Sequence, residues 1–228
     1  ATTEIYTLSL HDALPICYYF VCVCEIKFRS SSRKEFNMNK NTKKLVGVAL
    51  FTAIVIVLQL IGGGIKVGAF SVSLVLIPIV LGTALYGIGA GAWLGLVFGV
   101  TVLLTGDAAA FLAVNAFGTV ATVLVKGILA GTLSGLMYKA FEKKNKYLAT
   151  AAAAVTCPIV NTGIFLLGCL IFFMPTIAGW AQGLGFESTT KYMLTGFVGI
   201  NFILEVAVNL LLCPIIVRLI ALGKKETK

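Results

Sequence analysis

From Leu45 to Leu222 apolar residues run almost without interruption, divided only by short polar or glycine-rich connections. Six stretches emerge: Leu45–Ile61, Leu74–Tyr86, Ile88–Thr105, Phe111–Tyr138, Tyr147–Met174 and Met193–Leu222. A helix that crosses the hydrocarbon core needs about 20 residues, within a range of roughly 17 to 25. Leu74–Tyr86 falls short of that, so it must be tilted or flanked by neighbours. The pattern predicts an all-α membrane protein, a six-transmembrane-helix bundle.

Composition supports the pattern and removes whole classes of function. Hydrophobic residues make up 59% of the chain and mean hydropathy is +1.00, against about half apolar residues in soluble domains. Charged residues are 12%, about half the soluble norm. No Gly-x-x-x-x-Gly-Lys-Ser/Thr segment is present, so no P-loop cradles nucleotide phosphates. Neither clustered carboxylates nor an activated serine arrangement equips the chain for hydrolysis. An enzyme is not expected, nor is a cofactor or a nucleic-acid partner; the lipid bilayer is.

The first 37 residues form a segment of a different kind. Residues 1–16, ATTEIYTLSLHDALPI, resemble the in-frame translation of a sequencing adapter, and the first Met is Met38, followed by the basic stretch Asn39–Lys44. Residues 1–37 are read as a non-native leader and 38–228 as the membrane domain. A signal peptide centred on Ile16–Val23 is the rival reading, but Glu4 and Asp12 stand where a basic n-region belongs. Setting the leader aside removes His11, Cys17, Cys22 and Cys24 and with them any temptation to assign a metal. Cys157, Cys169 and Cys213 remain in apolar spans, where a free cysteine behaves as a small hydrophobe.

Charge sets the orientation. The leader's four basic and four acidic residues cancel, so the net charge of +9 belongs to residues 38–228. Lys40, Lys43 and Lys44 precede the first stretch; Lys139, Lys143, Lys144 and Lys146 separate the fourth and fifth; Lys224, Lys225 and Lys228 follow the sixth. With six crossings all three clusters fall on one side, and by the positive-inside rule both termini are cytoplasmic. The glycine-rich connection Gly62–Gly68 then lies outside, where it serves as a mobile flap or an ordinary flexible loop. Pro175–Lys191, with Trp180, Gln182 and Glu187, either covers a cavity or anchors at the interface.

Small residues recur at helical spacing. Gly87, Gly91, Gly95 and Gly99 stripe the third stretch, and Gly127, Gly131 and Gly135 the fourth. Such stripes let helix backbones approach closely, which predicts internal packing. Ala49 and Ala53 repeat the spacing in the first stretch and are candidates for a partner-docking face.

Polar groups at mid-span are expensive in lipid and mark where a solute is handled. Lys126, Asn161, Asn201 and Glu205 sit well inside the apolar stretches. Asn201, Glu205 and Asn209 share one helix face, as do Thr119, Thr122 and Lys126. Three helices thus present polar groups at similar depth. They predict a ligand-binding pocket of Lys126, Asn161, Asn201 and Glu205, with Asn115 at its mouth. A Lys126–Glu205 ion pair that only satisfies itself is the competing reading. Asp107 reads as a solvated loop or cap residue.

Several segments are similar to one family. Leu74–Gly82 (LVLIPIVLG), Tyr86–Gly99 (YGIGAGAWLGLVFG), Phe111–Thr119 (FLAVNAFGT), Val125–Gly131 (VKGILAG) and Cys157–Gly168 (CPIVNTGIFLLG) resemble the S components of energy-coupling factor (ECF) vitamin transporters. The resemblance implies a subunit that binds a small-molecule vitamin from outside through helices four to six and the exterior loops. It implies docking on an ECF T subunit driven by two cytoplasmic ATPase subunits, with tipping in the membrane to release cargo. Ala49-x-x-x-Ala53 matches the family's small-residue motif that faces the T subunit. Asn115-Ala116 departs from the family pattern, since Pro is expected after the Asn.

Lys126 suits a carboxylate, and pantothenate is the favoured vitamin. Few aromatic residues line the expected pocket, which argues against flat-ring ligands. A proton-coupled secondary carrier using Lys126 and Glu205, or a membrane assembly protein without ligand, are the alternatives.

Overall fold

The computed structural model describes residues 40–62, 66–67, 70–71, 74–193, 195 and 200–226. The leader, the side chain of Asn201 and most of the glycine-rich connection lie outside the described residues. Helix α1 covers Lys40–Gly62, α2 Leu76–Tyr86, α3 Ile88–Thr105, α4 Ala109–Leu112, α5 Ala116–Glu142, α6 Lys146–Gly168, α7 Met174–Gly183, α8 Thr189–Tyr192 and α9 Ile200–Glu226. A two-residue antiparallel ladder, Lys66–Val67 with Phe70–Ser71, follows α1. The protein is an all-α membrane bundle.

Local chemistry explains the boundaries. The third expected stretch is helical over the same residues, and Gly106 ends it in a left-handed conformation at φ 79°, the usual role of glycine at a helix C-terminus. The fourth stretch breaks in two, because Asn115 adopts an extended backbone and its side chain accepts from the Gly118 amide to start α5 afresh. Asn145 likewise caps α6.

The Pro175–Lys191 connection differs from its expected form as a loop. Helix α6 runs through one π turn, Cys169–Phe173, directly into α7. Pro175 is tolerated there because Phe173, at φ −126° and ψ 3°, interrupts the helical geometry, so Pro175 stands in the first turn of α7 where its missing amide costs little.

Among the described residues, four helices are long and apolar enough to cross a membrane: α1, α3, α5 and the continuous Lys146–Gly183 helix. Helix α2 solves its length problem by position. Its 11 residues extend only about 16 Å, roughly half of a 30 Å hydrocarbon core. It packs against α1, α3, α5, α6 and α9, and Leu76 and Pro78–Ala84 are buried. A helix that is apolar on every side belongs in such a centre.

Helix α5 lies between α3 and α6, its two most extensive neighbours. The glycine stripes of α3 and α5 face one another in antiparallel register. A methyl group on Gly95 would land on the Gly127 carbonyl, one on Gly131 would land on the Gly91 carbonyl, and one on Gly99 would lie 2.9 Å from the Val123 oxygen. These stripes therefore pack within the bundle. Gly47 on α1 abuts Tyr86 at the end of α2, and Gly135 on α5 faces Ile88 at the start of α3. The exposed lysines at 43 and 44 consequently share one end of the bundle with Lys139, Lys143, Lys144 and Lys146.

Candidate solute-binding site

Register along α5 fixes the depth of Lys126. Gly118 packs on Phe172 and Gly168 packs on Thr122, which aligns Lys126 with Phe165 of α6. The Lys126 Nζ lies 5.3 Å from the Phe165 ring centroid and 5.7 Å from that of Phe98 on α3. Two aromatic faces thus flank a cation in the bundle interior, an arrangement worth about 0.5–2 kcal/mol per ring. Glu205 of α9 lies within electrostatic reach of Lys126.

Asn161 and Glu205 are each 6% exposed and Asn209 is 2% exposed. Glu205 also reaches Cys157 electrostatically, and Cys157 lies one turn before Asn161 on α6. Helices α6 and α9 pack directly against each other. The Asn209 Nδ2 donates to the Glu205 backbone carbonyl at 2.9 Å. Among the described residues, the Asn161 and Asn209 Oδ1 atoms are buried without a hydrogen-bond partner. A buried acceptor left unsatisfied costs about 1–3 kcal/mol.

Other expected contributors have mainly local partners. The Asn115 Oδ1 accepts from the Gly118 amide at 2.9 Å, and the Thr119 hydroxyl donates to the Asn115 carbonyl at 2.8 Å. Asn115 is half-buried, and its side-chain oxygen is committed to capping α5. Ala49 and Ala53 lie on the exposed face of α1.

Aromatic residues are more abundant here than the linear sequence suggested. The Phe111 ring makes edge contacts with Phe165 at 5.6 Å, Phe173 at 5.1 Å and Trp180 at 5.6 Å between centroids. These side chains come from α4 and the α6–α7 helix, and Phe98 of α3 stands on the other side of Lys126. Their separation along the chain hid them.

Sequence reasoning also passed over Gln59. Its Nε2 donates to the Asp107 Oδ2 at 2.6 Å, and the Thr105 hydroxyl approaches the same oxygen at 3.2 Å. Asp107 is thereby a partnered residue joining α1 to the α3–α4 turn, instead of a freely solvated one. Gln59 interrupts the apolar run Val55–Ile61, the same signal that singled out Lys126.

Against known proteins, the chain matches the family model described as ECF transporter, substrate-specific component, over residues 43–217. No curated protein and no solved structure matches it. The matched region takes in every described helix from the first turns of α1 to the middle of α9, including Lys126, Asn161 and Glu205. This chain belongs to the family of ECF transporter substrate-specific components.

Proposed function

We propose that this S component captures a small carboxylated vitamin, pantothenate first among the candidates, from the outer side of a prokaryotic plasma membrane. The observation that carries the reading is the Lys126 ammonium, held inside the bundle between the Phe98 and Phe165 rings. A cation at such a position attracts a carboxylate by about 4 kcal/mol at 4 Å when the effective dielectric constant is near 20. Asn161, Glu205, Asn201 and Asn115 complete the binding set. The aromatic wall around Phe111 accommodates the apolar part of the solute.

The topology is six crossings with both termini in the cytoplasm, which the shared end of the lysine clusters supports. The exposed Ala49–Ala53 face of α1 docks on the T subunit, and two ATPase subunits drive release. Mass spectrometry of protein purified without added ligand tests the reading. Pantothenate is expected among the molecules released on denaturation. A preparation that releases no carboxylated solute, or transport that proceeds without T and ATPase subunits, contradicts it.

A further inference from the structure

Two buried amide oxygens, one on α6 and one on α9, accept no hydrogen bond among the described residues. Helices α6 and α9 pack directly against each other. Asn161 stands one turn from Phe165, the ring beside Lys126, and one turn from Cys157, on which the Glu205 charge acts. Asn209 stands one turn from Glu205 and is anchored there, its nitrogen already committed to the Glu205 carbonyl at 2.9 Å. That bond fixes which end of the amide is left over. The remaining oxygen can only accept.

An acceptor kept bare in a bundle surrounded by hydrocarbon is matched by a donor that arrives from elsewhere. We infer that Asn209 is a specificity-determining residue that works with Asn161. The two amide oxygens accept hydrogen bonds from O–H or N–H groups on the part of the solute remote from its carboxylate. The solute class is therefore a carboxylate bearing at least two further hydrogen-bond donors, and bare fatty or aromatic acids are rejected because they leave both oxygens unpaired. This rests on the carboxylate reading of Lys126. Pantothenate, with two hydroxyls and an amide N–H, belongs to the class.

Intact protein, wild type and the variants Asn209→Leu and Asn161→Leu, is purified without added ligand. The molecule released by each is identified and quantified per mole of protein, and the melting temperature of each ligand-stripped sample is measured. The expected wild-type cargo is a carboxylate with at least two O–H or N–H donors. Each leucine variant retains at least ten-fold less of it, while stripped Asn209→Leu melts at or above wild type because the bare oxygen is gone. Undiminished retention by both variants overturns the inference, and so does a stripped Asn209→Leu protein that melts clearly below wild type, since the amide would then be structural. A donor-rich carboxylate other than pantothenate leaves the inference standing and removes the pantothenate assignment. Pantothenate retained undiminished by both variants does the reverse, and a wild-type protein that releases nothing overturns both.

Discussion

The Lys126 ammonium nitrogen lies 5.3 Å from the centroid of the Phe165 ring. Two helices supply this pair, and their register is set by small residues: Gly118 beneath Phe172 and Gly168 against Thr122. The position of the charge is thus a packing outcome. Replacing Phe165 with Leu keeps an apolar filler but removes the aromatic face. Its expected effect is a loss of about 0.5–2 kcal/mol in solute affinity, read by titration calorimetry, with little change in melting temperature. A large fall in stability with unchanged affinity would assign Phe165 to packing alone.

The glycine crossing of α3 and α5 admits no side chain. A methyl on Gly95 or Gly131 meets main-chain carbonyls of the facing helix, which cannot rotate away. Gly95→Ala and Gly131→Ala should each cost about 1–3 kcal/mol or more, visible as lower melting temperatures in detergent. A methyl on Gly89, on the same helix, would have nothing within 4 Å. Gly89→Ala should be neutral or stabilising by up to about 1 kcal/mol. Equal effects at the three positions would refute the close crossing.

Asn115 opens α5 through its side-chain oxygen. Asn115→Ala should destabilise by about 0.5–2 kcal/mol, and Asn115→Ser should recover most of the loss. Solute affinity separates the cap from a binding role. If Asn115 contacts the solute, the Ser variant regains stability without regaining affinity.

The Gln59–Asp107 hydrogen bond joins elements 48 residues apart, at 2.6 Å. Hydrogen bonds to charged groups contribute about 1.5–3 kcal/mol. Gln59→Leu and Asp107→Asn should each lower the melting temperature, and the double variant should lose less than the sum. Strict additivity would show that the two side chains do not depend on each other.

Much of this bundle is written in the sequence, and the exceptions have physical causes. The third stretch matches its helix residue for residue because Gly87 and Gly106 bound it, each with positive φ. The glycine stripes announced a close crossing, but only the fold reveals that they are each other's partners. Lys126, Asn161 and Glu205 stand out in the sequence because polar groups are rare in such apolar stretches. The aromatic cluster was not legible, since Phe111, Phe165, Phe173 and Trp180 look like ordinary membrane residues until α4 meets the α6–α7 helix. Breaks at Asn115 and the continuation past Pro175 depend on cap geometry, which hydropathy does not encode. Gln59 was legible and missed, its single polar position masked by the strongly apolar run around it.

The central claim is that Lys126 meets a carboxylate. Calorimetric titration of wild type and Lys126→Met with pantothenate and with panthenol, in which the carboxylate is replaced by a hydroxymethyl group, measures that directly. Wild type is expected to prefer pantothenate by at least about ten-fold, equivalent to 1.4 kcal/mol, and the preference should vanish in Lys126→Met. A preference that survives the substitution would contradict the claim.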